Sequence, residues 1–360
     1  MRQRFEHIQA LRGAAALMVL AAHVKGAELD YGREGALLPY ALYMGVTGVD
    51  LFFLISGFVM AHVALEGARG ARASARFLYN RAARIYPVYW LVTLGLLLLY
   101  AGKRALFGEP TAFPNPVETF LLLPDDHYPL VPVGWTLVHE MYFYVVFALF
   151  VLQRRIGVLQ FLILWAAIVA VANAAGLTNA NPWTRIAFSP LTFEFIAGAF
   201  IALLVRRGET RLALPALLLG ALSLAALAIF FAGALYPVWV ADFVRRVMAF
   251  GPVFALILYG AAALETSRGA LAPRWLTATG DASYSLYLVH VPIFLVVGKT
   301  LSLVVPDGAF DNLLLIAAYV GASLAAAFAL HRGFEKPALG LAQRLGDRLF
   351  DQRAMAAKAA

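Results

Sequence analysis

The chain has no cysteine among its 360 residues. That excludes disulfides, thiolate nucleophiles and cysteine metal sites together, and with them any acyl-thioenzyme intermediate. Charge is also scarce. Asp, Glu, Lys and Arg make up 14% of the residues, against about 25% in a soluble domain. With so few charged groups and 62% hydrophobic residues, the chain cannot be intrinsically disordered, because disorder requires too little apolar surface to build a core. A soluble fold of 39.1 kDa could not bury that much apolar surface either, and the mean hydropathy is +0.76. The composition points to an all-α polytopic membrane protein.

Acidic residues are outnumbered, 21 against 29 basic ones, for a net charge of +8. In a membrane protein this excess follows from the collection of Lys and Arg in cytoplasmic loops, so no nucleic-acid partner is implied. The first apolar stretch contains Arg12 and His23 and has no clear signal-peptidase site, so it reads as a retained helix.

A spanning helix needs about 20 mostly apolar residues. Ten stretches qualify: Ile8 to Lys25, Gly45 to Leu65, Pro87 to Ala101, Trp135 to Leu152, Ile156 to Ala175, Pro190 to Val205, Leu212 to Leu235, Phe243 to Leu264, Ala282 to Val305 and Leu313 to His331. The connections alternate in charge. Arg2 and Arg4, the Arg69 to Arg84 run, Arg154 and Arg155, Arg206 to Arg211, Arg268 and Arg274, and Arg332 to Arg348 fall on one side. Acidic or mixed segments, Glu28 to Glu34, Glu109 to Asp126 and Asp307 to Asp311, fall on the other, with Arg245 and Arg246 as the exception. Both termini are therefore expected in the cytoplasm, with residues 1–335 forming the membrane domain and 336–360 a cytoplasmic tail. The connection from Gly102 to Gly134 carries six prolines and is expected to cap the outer face.

Ionisable groups inside a bilayer are costly and mark candidate sites. Arg12 and His23 are eleven residues apart, which returns them to one helix face about 16 Å apart. Ala15, Ala16 and Val19 between them suggest a narrow groove from a cytoplasmic cation to a deeper imidazole. The same pattern fits a snorkelling Arg and a His satisfied by a neighbouring helix. Asp50 needs a partner, whereas Gly48 and Gly57 read as helix-packing positions. Thr136, Glu140 and Tyr144 share a face by i, i+4 spacing. His23, Asp50 and Glu140 fall at comparable depth. Ser283, Tyr287 and His290 form one polar stripe, which fits an interhelical hydrogen-bond seam as well as a site. Arg81 and Arg84, three apart, could grip one polyphosphate, though attraction to anionic lipid explains the same charges. His139-Glu140 lacks the second His of a zincin, and Ser56 lacks the glycines of a nucleophile elbow. No metal site is supported.

Six segments resemble the membrane acyltransferase-3 family, in family order: Arg12 with His23; Gly48-Val49-Asp50-Leu51-Phe52-Phe53 with Ser56-Gly57-Phe58; Arg81 with Arg84-Ile85-Tyr86-Pro87; Trp135 to Tyr144 around Glu140; Asp281 to His290; and Glu335-Lys336-Pro337. The fourth segment is most like the bacterial exopolysaccharide O-acetyltransferases. The resemblance implies O-acylation of a cell-surface or exported carbohydrate, a glycan or lipid-linked saccharide, at the bacterial inner membrane. The donor would be cytoplasmic acetyl-CoA or another acyl-CoA, a co-substrate rather than a bound cofactor. It implies His23 as the essential His, with Glu140 and Asp50 as further catalytic positions and Arg12, Arg81 and Arg84 at the CoA. Ser283, Tyr287 and His290 would be acceptor-side or supporting groups. A neutral imidazole suits deprotonation of a sugar hydroxyl; an acyl-His intermediate and direct attack both remain open. The alternative class is a secondary transporter or flippase of a lipid-linked sugar, which buried charges and ten helices fit equally.

The charge alternation makes a checkable statement about orientation. A reporter fused after Asp126 should behave as periplasmic and one fused after Arg348 as cytoplasmic; the reverse pattern would invert the topology and the side from which the donor arrives.

Overall fold

The computed structural model describes residues 5–31, 37–107, 114–231, 242–304 and 311–359. Arg2, Arg4, Glu34, Glu109, Pro110 and Asp307, and the last residues of the 212–235 and 282–305 stretches, lie outside them. Among the described residues the elements are helical. They run α1 (Glu6–Tyr31), α2 (Gly48–Glu66), α3 (Ala71–Phe107), α4 (Pro116–Leu121), α5 (Trp135–Leu152), α6 (Val158–Ala174) and α7 (Pro182–Ala187). These are followed by α8 (Thr192–Arg206), α9 (Ala213–Phe230), α10 (Phe243–Arg268), α11 (Arg274–Asp281), α12 (Ser283–Val304), α13 (Asp311–Leu330) and α14 (Lys336–Ala359). Nine described segments are long and apolar enough to cross a bilayer, and the apolar helix α6 is shorter. The protein is an all-α multi-pass membrane protein, with ten apolar helices among the described residues where ten were expected.

Several boundaries differ from the sequence expectation: α1 runs on to Tyr31, which places Glu28 in the helix and not in the outer connection, and two further differences bear on the site. The third span begins at Ala71 rather than Pro87, so Arg81 and Arg84 sit on a helix and not in a loop. Pro87 removes one backbone donor, but helix continues on both sides of it. The tail after residue 335 is also helical. A π-turn at His331–Glu335 leads from α13 directly into α14. α14 lies against the first turns of α3, where Arg76 Nη2 meets Asp347 Oδ1 at 2.6 Å and the Tyr79 hydroxyl donates to the Ala342 carbonyl at 2.8 Å.

The start of α1 is held by a carboxylate from another helix. Glu265 near the end of α10 accepts the backbone N–H groups of Glu6 and His7, each at 2.7 Å. Those donors have no partner within their own helix, and the positive helix end favours an anion there. α11 runs along the same part of α1 and delivers Ser283, the first residue of α12, to Arg12. Close packing of α2 on α8 forms the centre. A Cβ at Gly57 would strike the carbonyl of Phe195, and one at Gly198 would strike that of Leu54. Gly57 is thus a packing residue, as expected.

The described part of the 102–134 connection does cap one face. α3 reaches into it with the Tyr89 hydroxyl on the Thr119 carbonyl (2.7 Å), the Trp90 indole on that of Phe120 (2.8 Å) and the Tyr86 hydroxyl on that of Leu121 (2.8 Å).

Because the α2–α8 contact is backbone against backbone, no rotamer change relieves a side chain there. Gly198→Val should cost at least about 1–3 kcal/mol and reduce monodisperse protein in size-exclusion profiles of detergent extracts. Gly321→Ala, where the added methyl meets open space, should leave the profile unchanged.

Candidate active site

Two cavities open from opposite ends of the bundle. The first, about 320 Å³, is lined by the starts of α1 and α12, the middle of α2 and α3, and α5. Val49, Phe52, Ser56 and Val59 recur at helical spacing and turn one face of α2 into its wall. Arg12, Arg81 and Arg84 all line it, and among the described residues Glu140 is the only carboxylate that does. Arg12 donates to Ser283 Oγ at 3.0 Å and to Gln9 Oε1 at 3.2 Å. Glu140 accepts from Ser56 Oγ at 3.0 Å and from the Tyr144 hydroxyl. Tyr284 donates to the Ile85 carbonyl at 2.7 Å, tying α12 to the turn of α3 that carries Arg84. The Nε of Arg81 is buried with no hydrogen-bond partner among the described residues. Three guanidinium groups around one carboxylate, in an apolar surround, make a cavity suited to an anion.

The second cavity, about 930 Å³, lies at the capped end. Its walls are aromatic and polar: Tyr40, Tyr43, Tyr128, Trp135 and Phe243, with Asp125 and Asp126 from the cap. Trp135 stacks on Phe243 with centroids 5.6 Å apart and planes at 16°. Arg185 and Asp126, also in the lining, form an ion pair of 2.8 Å. His23 lines this cavity. Its Nδ1 is 2.8 Å from the Val19 carbonyl. A carbonyl only accepts, so Nδ1 carries the hydrogen and Nε2 of the neutral ring holds the lone pair. His290 is fixed in the same way, with Nδ1 3.1 Å from the Leu286 carbonyl, and its ring meets that of His23 edge to face at 4.7 Å.

The expected stripe on α12 is real and faces α1 and α5. Ser283 meets Arg12, the Tyr287 hydroxyl meets Thr136 Oγ1 at 2.8 Å and the Val133 carbonyl at 3.0 Å, and His290 meets His23. Thr136, Glu140 and Tyr144 also share a face as expected. The groove along α1 is corrected. Ala15 and Ala16 are buried, Ala15 against Gly48 of α2 and Ala16 in a cluster with Leu286 and Leu315. Among the described residues these two positions are packed and not open, whereas Val19 lines the second cavity beside His23. His23, Asp50 and Glu140 are not brought together: Glu140 lines the first cavity and His23 the second.

Asp50 lies in a third cluster, fully buried. Arg246 Nε reaches its two oxygens at 2.9 and 2.8 Å, and Nη2 reaches Oδ2 at 2.6 Å. Glu194 lies beside this pair with both oxygens buried. The sequence carried a signal for it: an arginine breaking the charge alternation and a membrane carboxylate needing a partner are two halves of one ion pair. Ser56, Lys25 and Glu28 were missed. Lys25 Nζ bonds Glu28 Oε2 at 2.9 Å inside the bundle, and Glu28 also accepts the Leu37 and Leu38 backbone N–H groups. Their i, i+3 spacing was the available sign.

Residues 5–332 match the Acyltransferase domain family. The exopolysaccharide production protein ExoZ of Rhizobium meliloti (strain 1021) is 32% identical over 276 residues, 71% of this chain and 78% of that protein. The acyltransferase MdmB of Streptomyces mycarofaciens is 28% identical over 320 residues, 80% of this chain and 78% of that protein. Protein 2 in the picA locus of Rhizobium radiobacter is 36% identical over 110 residues, 30% of this chain and 52% of that protein. No solved structure matches. The family match begins at the foot of α1 and ends in the π-turn after α13, so it takes in every residue that lines either cavity, and the chain belongs to the acyltransferase-3 family of acyl-transferring enzymes.

Proposed function

We propose that this enzyme moves an acetyl or other short acyl group from cytoplasmic acyl-CoA to a hydroxyl of a surface or exported carbohydrate at a bacterial inner membrane. The observation that carries this reading is the pair of opposed cavities, which share only Val49 and Tyr287 in their linings. One is rich in arginine and suits the phosphates of CoA. The other is lined by stacked aromatics, two carboxylates and three imidazoles, among them His23, and suits a sugar. The name of the Rhizobium meliloti relative supports a polysaccharide acceptor, and the charge alternation supports a cytoplasmic donor side.

In this reaction Arg12, Arg81 and Arg84 hold the donor's anionic end. Ser283 orients Arg12, and Glu140 balances the cluster while being held by Ser56 and Tyr144. His23 acts as base through Nε2. The acceptor oxygen attacks the thioester carbon, the C–O bond forms, and the C–S bond breaks with its electron pair on sulfur. The hydroxyl proton passes to His23 and then to the thiolate, so the products are ester and free CoA. Asp50 has a positioning role, because it neutralises Arg246 in the wall of the acceptor cavity. A transporter or flippase would release no CoA.

His23→Ala should lower acyl transfer in membranes by about 10²–10⁴-fold while acetyl-CoA binding stays within about twofold. His23→Gln should fail too, since an amide cannot take up the proton. Near-normal transfer by well-expressed His23→Ala would overturn the assignment.

Double replacement of Arg81 and Arg84 by Ala should weaken acetyl-CoA binding by tenfold or more, and Lys at both should restore only part, because a point charge lacks the guanidinium fork. Binding by titration calorimetry on purified protein decides it, and unchanged affinity would return both residues to a purely topological role.

A further inference from the structure

Val49 of α2 and Tyr287 of α12 stand between the two cavities, each lining both. Both are buried, Val49 at 5% and Tyr287 at 7% exposure. Phe52, one turn along α2 from Val49, meets the Tyr287 ring edge on with centroids 6.0 Å apart and planes at 71°. The far end of Tyr287 is fastened to Thr136 Oγ1 at the start of α5 and to the Val133 carbonyl in the turn before it. The ring therefore spans from α12 to α5 and cannot swing aside without giving up both hydrogen bonds. Val49 has a stiff β-branched side chain.

Given the reaction proposed above, on which this inference rests, the thioester carbon must come within bonding distance of an acceptor oxygen in the second cavity. The pantetheine arm trails back through the first cavity towards the arginines. Whatever extends from the carbonyl on its other side has to occupy the space at the partition. We propose that Val49, Phe52 and Tyr287 form an acyl-length filter that sets this enzyme's donor as acetyl-CoA and excludes longer acyl chains. What supports a firm limit is that these walls are held by neighbours: Tyr287 by its two hydrogen bonds, and Val49 and Tyr287 alike by burial.

The filter is tested by acyl-CoA competition. The probes are acetyl-, propionyl-, butyryl- and hexanoyl-CoA, supplied to inverted membrane vesicles of the source organism carrying its own acceptor, with vesicles lacking the protein as blank. Release of CoA is followed with a thiol reagent, which the enzyme itself does not consume because it has no cysteine. The wild type should lose about tenfold or more in kcat/KM for each methylene beyond acetyl. Val49→Ala should raise the butyryl-to-acetyl ratio by about tenfold while acetyl transfer persists. Val49→Ile should act oppositely and lower the propionyl-to-acetyl ratio. Gly321→Ala, outside both linings and with open space for the added methyl, should leave all ratios unchanged. If Val49→Ala fails to accumulate, the Val49→Ile ratio decides. Equal use of hexanoyl- and acetyl-CoA by the wild type, or ratios unmoved in the Val49 variants, would overturn the filter. Absence of any acceptor-dependent CoA release with acetyl-CoA would instead overturn the reaction itself.

Discussion

A charge buried in an apolar bundle must be neutralised by a neighbour, and this requirement organises the structure. The desolvation cost of a single ion is several kcal/mol, so each buried charge fixes the position of whatever pairs with it. Asp50 fixes Arg246 and so joins α2 to α10. Glu265 holds the first turn of α1. Glu28 joins Lys25 to the backbone at Leu37 and Leu38 and shapes the rim near Tyr40. Glu335 accepts from Ser285 at 2.6 Å and lies 2.9 Å from His331 Nδ1, locking α12 to the π-turn. Against this pattern the cavity with three arginines and one carboxylate stands out. Among the described residues that line it, positive charge exceeds negative.

The same economy explains why the two cavities meet at so few residues. Helices packed with small residues at their crossings, as at Gly57 and Gly198, leave little space between them. The first cavity is bordered by polar pairs between helices, Arg12 with Ser283 and Tyr287 with Thr136. In the proposed reaction this geometry separates a charged, water-soluble donor from a bulky acceptor and exposes only the carbonyl between them. The second cavity, the proposed acceptor side, takes residues 123–129 of its lining from the capping loop between spans. Such segments vary without disturbing the bundle, which is where differences in acceptor would reside.

Much of this was legible in one sequence. Span number and helix type follow from runs of apolar residues, since backbone polar groups in a bilayer must be satisfied within the segment. The stripe Ser283, Tyr287 and His290 and the face Thr136, Glu140 and Tyr144 follow from helical period alone. The start of α3 did not, because its first turns are polar and basic and carry no apolar run. The groove beside Ala15 and Ala16 was misread for a related reason. Small residues signal equally a gap and a close contact, and here Gly48 and Leu286 fill the space.

The sequence by itself determined the class of fold, the alternation of charge and which residues share a helix face, because each depends on local hydropathy and on a fixed 100° per residue. Only the tertiary structure decided which faces meet. Asp50 found Arg246, 196 residues away, and Arg12 found Ser283, 271 residues away. His23 and Glu140, expected at similar depth, line different cavities. The physical reason is that helix neighbours in a bundle are chosen by packing and by the pairing of buried charges, and both are sums over contacts between distant segments that no local period records.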